Sequence, residues 1–233
     1  MKSKIPQVRV EVGTLVCFAL EQEAAPFRRL AVRIPDLAIL ITGVGPRNAE
    51  TSVRRFLTQH LTRRVFTCGF CGGLDPNLEV GEVVYMTGYP ALEERLLDAD
   101  ARLATFVSAP RIATTVADKK LLRAATRADV VDMESEEILE VCRERRIPCA
   151  MVRAVSDAAE EDLPLDFNAL VRPDLSLHHG RLAWAIVKAP WKIFALLRLH
   201  RRTSFAAQQL AHVLAKVIWK GGSSRGGPDQ GGP

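Results

Sequence analysis

VFTCGFCGGLDPNLEVGEVVYMT, residues 65–87, decides the fold. Val65 to Cys68 is a short β-branched and aromatic run of strand length, and it empties into Gly69-Phe70-Cys71-Gly72-Gly73. Asp75-Pro76-Asn77 then turns the chain, and Glu82 to Thr87 reads as a further strand. A buried strand that ends in glycines marks where an open α/β sheet brings its backbone up to a ligand.

Working outward, Val12 to Leu20 is a Val- and Phe-containing strand, followed by a helix from Glu21 to Leu30 with Leu20, Ala24, Phe27 and Leu30 on one face. Leu37 to Thr42 is another strand, closed by Gly43-Val44-Gly45-Pro46 and followed by a helix from Asn48 to His60. Downstream, residues 89–108 predict a turn and a short charged helix. Arg111 to Thr114 predicts a strand, Asp118 to Thr126 a helix and Val130 to Met133 a strand. Ser135 to Arg145 predicts a helix, and Ala150 to Ser156 the last core strand. This alternation predicts an α/β fold: three α/β/α layers around a central mixed, mostly parallel sheet, plus a C-terminal helical extension.

The C-terminal texture differs. From His179 to Leu199, Trp184, Trp191, Ile193, Phe194 and Leu197 alternate with Arg181, Lys188, Lys192 and Arg198, and Pro190 predicts a break. Arg201-Arg202-Thr203-Ser204 is expected to separate this stretch from a last helix, Phe205 to Trp219. The reading is a catalytic domain over 10–170, a basic amphipathic helical extension over 171–220, and a Gly/Ser/Pro-rich disordered tail over 221–233.

Composition narrows the classes. With 48% hydrophobic and 25% charged residues, the 233-residue chain is an ordinary folded protein rather than a disordered one. Residues 170–233 carry ten Lys or Arg against Asp174 and Asp229, so most of the basic excess sits in that last quarter. Such an asymmetry points to an anionic surface nearby. No stretch reaches the ~18 apolar residues of a spanning helix, and no apolar leader with a cleavage site opens the chain. Five cysteines, Cys17, Cys68, Cys71, Cys142 and Cys149, predict reduced thiols in a cytoplasmic protein. Cys68-Gly69-Phe70-Cys71 reads as two buried thiols rather than a redox pair. The histidines His60, His178, His179, His200 and His212 lack ligand spacing, so no metal and no cofactor are expected. The basic tail lacks a stacking platform, which argues against nucleic acid.

Three carboxylates stand at or just after strand ends: Glu23, Glu134 and Asp157. Singly, each has an ordinary reading, as a solvated helix residue, a helix cap or a turn residue. Together with Gly72 and Gly73 they would converge on one face of an open sheet, where acid–base chemistry needs them.

In Phe18 to Glu23, Thr42 to Ala49, Gly72 to Val84, Val131 to Glu134 and Arg153 to Asp157, the chain resembles the nucleoside phosphorylase family. It is most similar to the methylthioadenosine/S-adenosylhomocysteine nucleosidase branch, with the segments in order over roughly residues 12–170. The resemblance implies cleavage of the N-glycosidic bond of a purine nucleoside, and a homo-oligomer. By it, Glu23 takes the water-activating position and Asp157 the purine-N7 position. Asp132, Met133 and Glu134 fall at the ribose, Phe70 and Gly72 on the glycine loop, and Arg153 and Ser156 beside Asp157 or the pocket.

There are departures. Phe70 stands where nucleosidases usually carry a small hydroxyl residue. The family's stacking Phe-Ile pair is absent from Ile112-Ala113-Thr114-Thr115-Val116, and the stretch from Val84 to Ile112 is short. Phosphate as co-substrate is the rival mechanism, although Arg28, Arg29 and Arg47 fall in no clear phosphate motif. An inactive nucleoside-binding protein on the same fold is the other alternative. The region around Ala113, the segment Asp129 to Ser135 and the basic tail also resemble a hopanoid-associated subgroup thought to remove adenine from adenosylated hopane. That resemblance implies contact with a membrane surface through residues 180–219, peripheral to the inner membrane.

Overall fold

The computed structural model describes residues 10–109, 111–133, 135–164 and 192–219. The expected break at Pro190, the tail over 221–233 and Glu134 lie outside the described residues.

The elements run β1 (Val10–Phe18), α1 (Glu21–Leu30), a 3-10 turn (Ala31–Arg33), β2 (Leu37–Ile41), α2 (Pro46–Gln59), β3 (His60–Gly73) and β4 (Val83–Thr87). There follow α3 (Pro90–Leu97), β5 (Arg102–Leu103), β6 (Phe106–Ser108), α4 (Val116–Thr126), β7 (Val130–Asp132), α5 (Ser135–Glu144), β8 (Cys149–Asp157) and α6 (Lys192–Trp219). The strands lie in the order β2-β1-β3-β8-β4-β5. Strands β2, β1, β3 and β8 are parallel, and β4 runs antiparallel to β8. The sheet is therefore mixed and mostly parallel, with helices on both faces.

Strand β3 is the spine and is much longer than its apolar heart. Its first half is paired with β1 from His60 onward, with Leu61 half out in solvent, and only from Val65 is it buried. At its far end the register slips between Cys71 and Gly72. There Gly72, still opposite Asp157 of β8, and Gly73 also pair antiparallel with Val131 and Val130 of β7, which in turn pairs with β6. Glycine is required at this junction by close approach. A Cβ on Gly72 would stand 3.2 Å from Val131 Cγ1, and one on Gly73 3.1 Å from the Asp157 carbonyl oxygen.

Alternation along β1 builds two cores. Val16 and Phe18 pack with Phe27, Phe66, Tyr85 and Leu96 on one face. Leu15 and Cys17 pack with Val53, Leu57 and Val141 on the other. Cys68 and Cys71 fall into different clusters, so the C-x-x-C spans the sheet instead of forming a pair. All five thiols are free and buried, and burial pushes that of Cys68 well above the ordinary range.

Two expectations need correction. Arg111 to Thr114 forms no strand; the Thr114 carbonyl instead accepts the Leu163 N–H from the loop after β8. Thr115 and Asp118 then cap α4 reciprocally, which starts the helix at Val116. Nor do Arg201 to Ser204 interrupt the C-terminal helix, because α6 is continuous over 28 residues. The stretch holds no glycine or proline, and Thr203 bonds back to the Leu199 carbonyl at 3.1 Å without leaving the helix.

The second half of α6 is core: Ala206, Leu210, Ala211, Leu214, Val217 and Ile218 are all buried in the first cluster. Leu214→Ala is expected to lower the unfolding free energy by about 2–5 kcal/mol, because a filled site becomes a cavity. Urea denaturation followed by circular dichroism measures it. Among the described residues, no helix is long and apolar enough to cross a membrane.

Candidate active site

Glu23 belongs to the first turn of α1 yet is only 6% exposed. Its Oε2 accepts the Leu20 N–H at 3.0 Å, which turns the carboxylate back over the end of β1. Its Oε1 accepts the Phe70 N–H at 3.2 Å, which ties it to the glycine loop 47 residues further on. Gly69 makes this contact possible, since a Cβ there would lie 2.9 Å from Oε1.

Asp157 closes β8 opposite Gly72. Ser156 Oγ lies 2.6 Å from its Oδ1 and 3.1 Å from the Cys71 carbonyl oxygen. Its Oδ2 lies 2.5 Å from Lys119 Nζ, and the Lys119 side chain is 1% exposed. The same ammonium donates to the carbonyls of Ala158, at 2.6 Å, and Glu161, at 3.0 Å. Three acceptors thus face the three N–H bonds of a lysine.

Arg153 lies beneath the floor rather than on it. Its guanidinium donates to Asp132 Oδ2 at 3.1 Å and to the Thr67 carbonyl at 2.7 Å, so it crosses β8, β3 and β7. Both members of the Arg153–Asp132 pair are nearly fully buried. Such a pair fixes the exit angle of β7, and with it the position of Met133.

A cavity of about 320 Å³ opens above this floor. Glu23, Phe70, Gly72, Asp132, Met133, Ser156 and Asp157 all line it, in a size suited to a small molecule. Next to Glu23 is a small void of about 10 Å³, lined by Thr42, Thr67 and Arg153 together with Cys17, Phe18 and Ile138. A second space of about 250 Å³ adjoins the main cavity through Asp157, Leu163 and Leu199, with Arg198 and Arg202 on its wall.

The structure therefore brings Glu23 and Asp157 to one cavity, while Glu134 lies outside the described residues. It adds residues that the sequence reading did not single out as site residues: Lys119 behind Asp157, Leu163 after β8, and Leu199 and Thr203 from α6. Arg111, Ile112 and Ala113, expected in a strand, form part of the wall as loop residues. Arg28 is engaged with Glu21 on the surface, and Arg47 is exposed at the start of α2; neither lines the cavity. Among the described residues no group of three or more His, Cys, Asp and Glu could hold a metal ion.

Comparison with known proteins agrees with this architecture. The family model of the phosphorylase superfamily matches residues 23–127 and 91–188. The aminodeoxyfutalosine nucleosidase of Campylobacter jejuni is 22% identical over 169 residues, covering 58% of this chain and 74% of that protein. The 5'-methylthioadenosine/S-adenosylhomocysteine nucleosidase of Glaesserella parasuis is 27% identical over 173 residues, covering 57% and 73%. Among solved structures, the futalosine hydrolase of Helicobacter pylori superposes with a TM-score of 0.65 at 13% identity, covering 90% of this chain and 98% of that one. At that identity the likeness establishes the fold alone. The family model, in contrast, spans well over half the chain and includes Glu23, Phe70, Met133 and Asp157 of the cavity, so the chain belongs to the phosphorylase superfamily.

Proposed function

We propose that the protein cleaves the N-glycosidic bond of a purine nucleoside, releasing adenine, with water as the nucleophile. One observation carries the reading: Glu23 and Asp157, from elements far apart in the chain, line the same cavity on either side of a glycine loop. Breaking the C1′–N9 bond leaves an oxocarbenium-like sugar and a base that must take up charge. In this reading Asp157 shares a proton with purine N7, and Glu23 deprotonates water at C1′. Met133 forms an apolar wall against the sugar, and Glu134 is assigned to its hydroxyls.

Water is favoured over phosphate by what Glu23 already occupies. Its carboxylate takes the N–H groups of Leu20 and Phe70, so neither is left to bind an anion, and its charge repels one. The named relatives are nucleosidases and a hydrolase, which supports the same choice. The test is adenine release from methylthioadenosine and adenosyl nucleosides, followed by chromatography with and without inorganic phosphate. The expected products are adenine and a free ribosyl sugar at a phosphate-independent rate. A ribose-1-phosphate ester would establish phosphorolysis instead, and no release from any adenosyl nucleoside would leave a binding protein.

For the 5′ substituent, the reading extends to a nucleoside joined to a hopane-type lipid. Leu199 and Thr203 of α6 line the cavity, while Phe194, Leu197, Phe205 and Trp219 on the same helix are exposed. These four share one helical face with Arg198, Arg201 and Lys216, the pattern of an interfacial helix. Turnover of adenosylated hopane, compared with methylthioadenosine, tests it; turnover of methylthioadenosine alone removes the lipid.

A further inference from the structure

Lys119 is an unusual residue for a mostly solvated helix. It is the buried member of α4, while Leu121 beside it is 70% exposed. Its side chain leaves water to meet Asp157 and two backbone carbonyls, which fixes its position from three directions. A group that protonates a leaving purine must be resupplied with a proton, and the nearest donor to Asp157 is this ammonium. The two groups stand 2.5 Å apart, close enough to pass a proton directly.

Resting on the hydrolytic reading above, we infer that Lys119 is the proton source behind Asp157, the two acting as a one-proton couple. In the resting pair the proton is on Nζ and Asp157 is ionised. As the C1′–N9 electron pair moves into the purine, the proton passes from Nζ to Asp157 Oδ2 and from there to the base nitrogen. Lys119 is left as a neutral amine, still held by its carbonyl partners, and Asp157 is again ionised. Water adds to C1′ and gives its proton to Glu23. Solvent then takes the proton from Glu23 and returns one to Lys119, so charge and atoms balance. Gly72 presents no side chain to this carboxylate; a Cβ there would stand 3.4 Å from Asp157 Oδ2.

The surroundings carry other charges. On α4 these are Asp118, Lys120 and Arg123, the last paired with Asp75 and Asp129; on the loop after β8, Glu160, Glu161 and Asp162. Arg202 of α6 is paired with Glu161, and Arg198 faces the adjoining space. Across the cavity stand Arg111, Glu23 and Asp132, and the Cys71 thiol beneath is pushed up by burial. Of these residues, Glu161 meets Nζ through its backbone carbonyl.

The couple makes a prediction that a merely structural lysine does not. In the couple, the proton that Asp157 passes on comes from Lys119 and not directly from solvent. In Lys119→Met, Asp157 must find its proton in solvent. The basic limb of the kcat profile is then expected to move by about two pH units or more toward acid, with activity recovered at low pH. Lys119→Arg retains the positive charge but not a transferable proton, so kcat near pH 8 is expected to fall about 10²-fold with KM little changed. Both variants should bind adenine, which shows that they fold. Full turnover by Lys119→Arg, or an unmoved basic limb in Lys119→Met, would overturn the couple. Calorimetry of adenine binding in buffers of different ionisation enthalpy gives an arm that needs no turnover. At pH 7.5 or so the unmodified protein should exchange no net proton, whereas Lys119→Met should take one up as adenine binds. Equal proton counts would also overturn it. A lack of adenine release by the unmodified protein would sink the hydrolytic reading itself, and the proton counts would still decide the couple.

Discussion

Asp157→Asn is expected to lower kcat for adenine release by about 10³-fold or more, because the amide cannot pass a proton to the departing base. It also strands Lys119, a side chain 1% exposed whose Oδ2 partner becomes, in one orientation, an NH₂ group. Removing one member of a buried ion pair costs about 3–5 kcal/mol, so loss of activity alone does not separate chemistry from instability. The double variant Lys119→Met/Asp157→Asn does. It removes both charges, and replacing a buried pair with uncharged groups of similar volume is often close to neutral. Its urea midpoint is expected to recover most of the lost stability while kcat stays at the level of the single variant. Adenine release near the unmodified rate in either variant would remove Asp157 from the reaction.

That test depends on a residue the sequence concealed. Asp118-Lys119-Lys120 reads as the solvated face of a short helix, and Leu121 and Leu122 as its apolar one. The fold reverses this locally, because α4 lies across the loop after β8 and needs a donor for the Ala158 and Glu161 carbonyls more than it needs another methyl group. Hydrophobic periodicity counts apolar side chains and cannot see backbone acceptors waiting on a neighbouring loop. The same blindness affected the strand expected at Arg111 to Thr114, whose short apolar pattern fits a strand but whose backbone bonds are made to residue 163. By contrast, the α/β alternation, the buried β1 strand and the α1 boundaries were plain, since each follows from an apolar run or from 3.6-period burial within one segment. The meeting of Glu23 with the glycine loop lay between these cases. The residues and strand ends were visible in order along the chain, but their contact depends on Gly69, whose missing side chain marks the spot only once the strands are paired. In α6, Leu199 and Thr203 escaped notice because a run of Arg-Arg-Thr-Ser suggests an interruption, whereas the helix continues and carries both residues over the cavity.

Glu23→Ala is the second substitution with a large expected effect. Glu23 does two things: it receives the proton of the attacking water, and it neutralises two backbone donors, the N–H groups of Leu20 and Phe70, in a buried place. Shortening it to alanine removes the base and should lower kcat by about 10²–10⁴-fold. The pocket that remains has the shape of the lost carboxylate and two inward N–H bonds, which is a site for a small anion. Formate or azide at high concentration is therefore expected to restore part of the rate, by roughly tenfold or more, in Glu23→Ala and not in the unmodified protein. Glu23→Gln keeps the volume but sets an NH₂ group against one of the two backbone donors, so formate has no room and rescue should fail. The pair of variants thus distinguishes a missing base from a misplaced loop. If Glu23 only positioned Phe70, glutamine would be the milder change and formate would leave both rates alone. If Glu23→Ala hydrolysed its substrate at the unmodified rate, water would have to be activated elsewhere, and the assignment of the two carboxylates around this cavity would fail.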